Sequence, residues 1–240
     1  RNSVYTTLRA PPAEPERTAG NVPRLPLSED WLGWINARIV ELMRAGKGSN
    51  VAFVTFNYDR LIEIAAAVML QQMFPSRWQE LFKEYPRVVH VYGKLSGDPL
   101  STIGDLQRAA SSPLPPLDPL RMMAGIRLME ERGGNVDSDL LCARELLREA
   151  KRIVFLGFGF DPANIEMLGL RGLLKKVTGH RSPRVIGTAH GMTPMEVSRA
   201  LALLEWSGPS GPGDPPILHS KYCLELLRSD WAHDWFVPPM

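Results

Sequence analysis

The chain has 240 residues, of which 44% are hydrophobic and 22% are charged, and its formal net charge is +2. This length allows one large domain or two small ones with a substantial core, and the near balance of charge gives no reason to expect a nucleic-acid partner. Cys142 and Cys223 are too few for a four-cysteine zinc site or a disulfide framework, and no apolar run is long enough to span a membrane, so we expect a cytoplasmic protein without zinc.

Proline-rich stretches divide the chain. Residues 1–27 are rich in proline and lack hydrophobic periodicity, so we expect an irregular N-terminal segment there. Residues 28–240 are expected to form one α/β domain that carries proline-rich loops near 111–120 and 207–216. We find no internal repeat, which favours a single domain over a repeat array.

Helix and strand patterns alternate along this domain. Helices are predicted where apolar residues recur every three or four positions, and strands where several apolar residues follow one another. The expected N-caps are Ser28 for the first helix, Asp161 before Pro162 for a later helix, and Thr193 for the helix after the last predicted strand. In chain order, the pattern predicts a helix over 28–46, a strand over 51–56, a helix over 59–73, a strand over 87–93, a helix over 137–150, a strand over 152–160, a helix over 161–176, a strand over 184–191, a helix over 193–206 and short helices in the tail. Solid apolar strands that alternate with helices are typical of a doubly wound parallel sheet, in a Rossmann-like fold with helices on both faces.

Polar residues and glycines follow the end of each predicted strand. The four groups are Asn57 with Asp59, His90 with Gly93, Gly157 with Gly159 and Asp161, and Thr188 in the last group. The carboxyl ends of parallel strands meet at one edge of a sheet, and ligands of such sheets bind there. Glycines allow the backbone to approach a ligand, and the polar side chains can donate and accept hydrogen bonds. The pattern therefore indicates a nucleotide-type site.

Each of these residues also has a purely structural explanation. Asp59 can cap the helix that follows it, and Asn57 can satisfy a turn. A histidine inside an apolar strand, such as His90, is more often a hydrogen-bonded core residue than a catalyst. Gly157 and Gly159 can serve only the tight connection from strand to helix, because "GFG" is not a dinucleotide-binding fingerprint. Spacing alone leaves both explanations open.

Taken together, the motifs resemble those of the sirtuin-like superfamily of NAD-consuming domains, most closely its divergent bacterial branch linked to antiphage defence. "TFNYD" at 55–59 resembles the family's Thr-Gln-Asn-x-Asp segment, which lines the nicotinamide and ribose pocket. "HVYG" at 90–93 is similar to the motif of the family's catalytic histidine. "GFGFDPAN" at 157–164 resembles the stretch that contacts the adenosine side of NAD, and "IGTAHG" at 186–191 takes the place of the last strand and loop near the adenine.

The resemblance implies a catalytic group and a binding group of residues. Asn57 would orient the ribose or the attacking water, and His90 would act as general base. Asp59 would supply negative charge near the cation that develops on the ribose, or hold the loop. The remaining expected contacts to NAD are Thr55, Phe56, Tyr58, Gly93, Gly157, Phe158, Gly159, Asp161 and Thr188. NAD is the expected substrate, and no metal ligand is expected.

Two departures from the family pattern shape the expected function. The family begins with a strand and a Gly-Ala-Gly phosphate loop, which we do not find and expect to be missing. We also do not find the two Cys-x-x-Cys pairs of classical deacetylases. The first expectation is an NAD glycohydrolase that acts as a defence effector under the control of a regulatory protein partner or of homo-oligomerisation. The alternative is a non-catalytic nucleotide-binding or protein-interaction module on the same fold. A weaker alternative is an NAD-dependent protein deacylase.

Overall fold

Helices and strands alternate along the described parts of the chain as the sequence pattern predicts, except that two helices follow one another between the first two strands. The structure is a computed structural model that describes residues 30–46, 50–95, 138–171, 183–204 and 217–229. The described elements are α1 (Trp31–Arg44), β1 (Ala52–Thr55), α2 (Leu61–Met73), α3 (Trp78–Lys83), β2 (Arg87–His90), α4 (Ser138–Glu149), β3 (Arg152–Phe155), α5 (Pro162–Leu168), β4 (Arg184–Thr188), α6 (Pro194–Leu203), β5 (Ile217–His219) and α7 (Cys223–Leu227). None of the helices in these ranges is long and apolar enough to cross a lipid bilayer. The segments 1–27, 111–120 and 207–216, for which irregular structure is predicted, lie outside the described residues.

The strands form two small parallel sheets. In the first sheet β1 pairs with β2, and Thr55 lies opposite His90. In the second sheet β4 lies between β3 and β5. The result is a mixed α/β architecture that is compatible with a Rossmann-like fold. The described strands do not form one continuous doubly wound sheet, because β1 and β2 pair with each other and not with the other three strands.

A shared apolar core connects the two sheets. Val89 of β2 and Ile153 of β3 are buried in one cluster with Leu140 of α4. Strand β4 is buried at four successive positions, from Val185 to Thr188, as expected for a strand that is covered on both faces. At the carboxyl ends of β1 and β3, the rings of Phe56 and Phe158 lie with their centroids 5.6 Å apart. Packing therefore continues from one sheet to the other.

Capping residues set the start of two helices at predicted positions. The carboxylate of Asp161 accepts a hydrogen bond from the backbone at the start of α5, and Pro162 occupies the first turn. Thr193 begins α6 in a capping box with Glu196. Helix α5 is shorter than the sequence pattern predicts, because it ends at Gly169, whose φ of 65° is left-handed.

Three further elements differ from the sequence prediction. Helix α1 begins after Asp30, whose carboxylate accepts a hydrogen bond from the Gly33 amide, whereas the predicted cap Ser28 lies outside the described residues. Helix α3 has six residues and β5 has three, and neither is predicted. Elements of this length are too short to show a helical or strand periodicity.

Candidate functional site

The loop after β1 lies beside the end of β2. Because the two strands are parallel and Thr55 pairs with His90, the chain leaves both strands at the same edge. The Val91 amide donates to the Thr55 carbonyl at 2.9 Å, and the Leu95 amide donates to the Tyr58 carbonyl at 2.8 Å. The sheet therefore brings together the first two motifs, as the sequence predicts.

Short-range hydrogen bonds shape the loop of residues 55–59. The Asn57 amide donates to Oγ1 of Thr55 at 3.0 Å. The Leu61 amide donates to Oδ1 of Asp59 at 3.1 Å, so this carboxylate satisfies one N–H group in the first turn of α2. Asp59 therefore has the structural role that the sequence allows, which is to cap the helix that follows it. The side chains of Asn57 and Tyr58 are exposed at the edge.

Both ring nitrogens of His90 have partners inside the protein. Nδ1 lies 2.8 Å from the Asn57 carbonyl oxygen, and Nε2 lies 3.1 Å from Oε1 of Glu63. His90 is only 3% exposed. A carbonyl oxygen can only accept a hydrogen bond, so Nδ1 must carry a proton in this arrangement. The ring of His90 therefore fastens the backbone of the Asn57 loop to β2.

Glu63 of α2 is a partner of His90 that is not predicted from the sequence. Its Oε1 also accepts a hydrogen bond from Nε of Arg60 at 3.1 Å. Burial raises the pKa of Glu63, but the hydrogen bond and the positive charge of His90, together with the local backbone and Arg60, outweigh burial and hold that pKa below its usual 4.5. The signal in the sequence is an acid three residues after Arg60, at the start of an otherwise apolar helix.

The surroundings of His90 restrict its chemistry. With Nδ1 facing a carbonyl oxygen and Nε2 facing a carboxylate, neither nitrogen directs a lone pair towards the exposed edge. A general base needs such a lone pair within hydrogen-bonding distance of the proton that it removes. In this arrangement His90 therefore acts as a hydrogen-bonded core residue that holds the loop.

A second polar pair lies between α1 and β2. The hydroxyl of Tyr85 donates to Oδ1 of Asn36, which is 1% exposed. Burial raises the pKa of Tyr85 far above its usual 10.0, and the negative charge of Glu63 adds to this effect. Among the described residues, Nδ2 of Asn36 and Oε2 of Glu63 have no hydrogen-bond partner. These buried polar side chains lie beside an apolar cluster of Val40, Met69 and Leu70, against which Tyr85 also packs.

At the edge of the second sheet, Thr188 holds the loop that follows β3. The Gly157 amide donates to Oγ1 of Thr188 at 2.8 Å, and Thr188 is 5% exposed. Gly157 has a left-handed φ of 64°, which favours glycine at this position. The Ala163 amide donates to the Asp161 carboxylate at 2.8 Å. Thr188 and Asp161 therefore have structural partners, whereas Gly157 and Gly159 are exposed at the edge.

Aromatic residues connect the two edges. The ring of Phe56 contacts Phe158 and lies 5.4 Å from the ring of Tyr92, measured between centroids. The hydroxyl of Tyr92 donates to Oδ1 of Asn164 at 2.8 Å, and Gly93 follows with a left-handed φ of 74°. These contacts bring the motifs at 55–59, 90–93 and 157–164 together. Tyr92 and Asn164 lie within the motifs, but neither is among the site residues predicted from the sequence.

The edge offers polar groups for an organic ligand. Its exposed groups include the amide side chain of Asn57 and the backbone at Gly157 and Gly159. Such groups suit a ligand with sugar hydroxyls and phosphates. In the part of the chain that the structure describes, no group of three or more His, Cys, Asp or Glu side chains is arranged to hold a metal ion.

Comparisons with protein-family models, with curated proteins and with solved structures find no match to this chain. The resemblance to NAD-consuming domains therefore rests on the sequence motifs. The positions of these motifs at the strand ends are a separate observation, made on the structure.

Proposed function

We propose that this chain is a sirtuin-like domain that binds NAD at the carboxyl edge of its parallel strands and cleaves the bond between nicotinamide and ribose. The observation that carries the proposal is the link between Asn57 and His90. These two motif residues, 33 positions apart in sequence, meet through a 2.8 Å hydrogen bond at the ends of paired strands. The side chain of Asn57 is exposed at this edge and is available to a ligand.

The chemistry of the reaction fits an exposed amide on a fixed loop. Cleavage of the nicotinamide–ribose bond develops positive charge on the ribose, as glycoside hydrolysis does. The Asn57 amide can donate to one oxygen and accept from another, so it can orient a ribose hydroxyl or the attacking water. Since the His90 ring holds the Asn57 carbonyl, the backbone at this position is fixed before the ligand arrives, which lowers the cost of organising the site.

His90 acts mainly through Asn57 in this proposal. General-base catalysis by His90 would require one of its two ring hydrogen bonds to open when NAD binds. Asp59 would hold the start of α2 and would place a negative charge near the ribose. Thr55, Phe56 and Tyr58 would line the nicotinamide side of the pocket, and Gly157, Phe158, Gly159, Asp161 and Thr188 the adenosine side, with Gly93 in the turn between them.

The two sheets also fit the finer topology of this fold class. In the common doubly wound order, the first strand lies in the middle of the sheet, between the second and the fourth. We propose that β1 and β2 correspond to the second and third strands, and β3 to β5 to the fourth to sixth. The position between β1 and β3 would then belong to the first strand, whose loop cradles the pyrophosphate.

A non-catalytic module that binds a nucleotide or a protein is the second candidate function. The burial of His90 and the engagement of both its ring nitrogens favour it, because such a ring cannot act on a ligand without rearrangement. Tyr58 and Leu61, each 52% exposed beside Asn57, suit a contact surface. If the chain does cleave NAD, the activity would suit an antiphage effector that a regulatory partner or self-association restrains.

The experiment that tests these candidates measures binding and cleavage separately. Calorimetry measures the affinity of the purified chain for NAD, and chromatography follows nicotinamide and ADP-ribose over time, with and without an acetyl-lysine peptide. The hydrolase proposal predicts release of both products without the peptide. Binding without release would establish the non-catalytic module, and release only with the peptide would establish a deacylase. If NAD neither binds nor reacts, the proposal is wrong.

A further inference from the structure

We propose that Glu63 is a positioning residue of the Asn57 site, and that it acts by holding the ring of His90 with a proton on each nitrogen. The role for Glu63 in catalysis rests on the proposed function. The effect of Glu63 on the ring and on the loop does not, because it follows from contacts inside the protein.

The partners of the His90 ring determine which of its nitrogens donate. The Asn57 carbonyl oxygen accepts from Nδ1 of His90. Oε1 of Glu63 accepts from Nε of Arg60, and the arginine guanidinium always donates. An oxygen that already faces this cation is poorly suited to carry a proton of its own. It therefore accepts from Nε2 of His90 as well, which makes the ring an imidazolium and Glu63 its carboxylate partner.

Both members of this ion pair are buried. The side chains of His90 and Glu63 are 2% and 9% exposed, so water cannot replace either partner. A buried charge without a partner is strongly unfavourable, which means that the two charges depend on each other. Arg60, whose side chain is 14% exposed, contacts the same oxygen from the outer side and completes the cluster.

The orientation of the His90 ring also holds the loop at Asn57. Asn57 requires a donor at Nδ1, and Glu63 requires a donor at Nε2, so only one ring orientation satisfies both. Glu63→Gln keeps the shape of the side chain. With its –NH2 group in the place of Oε1 it can donate to Nε2, while the partly exposed Arg60 gives up its bond to that atom and turns to water. The ring then carries one proton, at Nδ1, and still holds Asn57. Glu63→Leu leaves Nε2 without a partner, and the ring is no longer held in the orientation that reaches Asn57.

Nitrogen NMR of the histidine rings tests this arrangement directly. In the unmodified chain, we expect His90 to show protons on both ring nitrogens at neutral pH. In Glu63→Gln, we expect a proton on Nδ1 alone and an unchanged Asn57 amide resonance. In Glu63→Leu, we expect the Asn57 resonance to shift or broaden. Glu80→Gln and Glu80→Leu are matched controls, because Glu80 also pairs with an arginine three positions away, but on the surface.

The outcomes separate this inference from the proposed function. A singly protonated His90 in the unmodified chain, or a Glu63→Leu variant with an unchanged Asn57 resonance, would overturn it. Should Glu63→Leu fail to fold, the ring protons of the unmodified chain and of Glu63→Gln decide the question. In the nicotinamide-release assay, Glu63→Leu should lower kcat by about tenfold or more with less change in KM, while Glu63→Gln stays within about threefold. An unmodified chain that releases no nicotinamide overturns the proposed function instead.

Discussion

Nδ1 of His90 lies 2.8 Å from the carbonyl oxygen of Asn57, and this contact joins a buried ring on β2 to an exposed loop after β1. The other ring nitrogen of His90, Nε2, lies 3.1 Å from Oε1 of Glu63 on α2. The conformation of the loop that presents Asn57 therefore depends on a charged cluster in the interior. Stability and function should respond together when this cluster is changed.

Replacing His90 should expose the energetic dependence between His90 and Glu63. His90→Gln removes the more deeply buried of the two cationic partners of Glu63 and leaves only Arg60, which should lower the free energy of unfolding by about 3 kcal/mol. The double variant with Glu63→Gln should lose less than the sum of the two single losses, with an interaction energy of about 1–3 kcal/mol. Urea denaturation of the unmodified chain, the two single variants and the double variant measures these losses. If the loss in the double variant equals the sum of the two single losses to within about 0.5 kcal/mol, the two side chains are not coupled.

Acid should weaken the fold through Glu63. The pKa of Glu63 is lowered in the folded state, so its contribution to stability is present above the unfolded value near 4.5 and is lost as the pH falls through the lower folded value. Below pH 4.5, the stability of Glu63→Gln should therefore fall less steeply than that of the unmodified chain. Denaturation curves measured at intervals of about 1 pH unit between pH 7 and pH 3 check this difference in slope. Glu80→Gln serves as the surface control, and equal slopes for both variants would argue against the ion pair.

Alkali should weaken the fold through Tyr85. Burial and the charge of Glu63 raise the pKa of Tyr85 in the folded state, so the unfolded chain ionises first when the pH rises above 10.0, and stability is lost from that point. Tyr85→Phe should reduce this loss, at a cost of about 1 kcal/mol at neutral pH for the hydrogen bond to Asn36. Thermal melts at neutral pH and above pH 10.0 measure both effects. The exposed Tyr58→Phe is the control and should leave the alkaline loss as it is.

The hydroxyl of Thr188 should be needed to order the Gly157 loop. Thr188→Val removes the acceptor of the Gly157 amide, which should cost about 1 kcal/mol and speed hydrogen exchange at that amide. Thr188→Ser keeps the acceptor and should preserve most of the protection. If the exchange of the Gly157 amide is the same in Thr188→Val as in the unmodified chain, the hydroxyl does not hold the loop.

The sequence predicts much of the local structure. The runs that form β1 to β4 each contain at least two successive apolar residues, and Asp161 and Thr193 cap helices at the expected positions. The division into two sheets cannot be read from such patterns, because strand pairing depends on contacts between residues far apart in the chain. The three residues of β5 are too few to show any period.

The candidate site is predicted in its outline and not in its details. The parallel pairing of β1 and β2 places Asn57 beside His90, as the order of elements predicts. The direction of the His90 ring is not predictable from a strand that is apolar on both sides, since the sequence shows no alternation to separate inside from outside. The role of Glu63 depends on a contact over 27 positions and on burial, which the sequence does not show.

The most direct measurement of the central claim is the rate of nicotinamide release from NAD by the unmodified chain and by two asparagine variants. Asn57 lies at the carboxyl end of β1, and the exposed Asn50 lies just before its amino end, so Asn57→Ala and Asn50→Ala form a matched pair. We expect Asn57→Ala to lower kcat/KM by about a hundredfold or more, and Asn50→Ala to leave it unchanged. Equal rates for Asn57→Ala and the unmodified chain, or no nicotinamide release from the unmodified chain, would contradict the account.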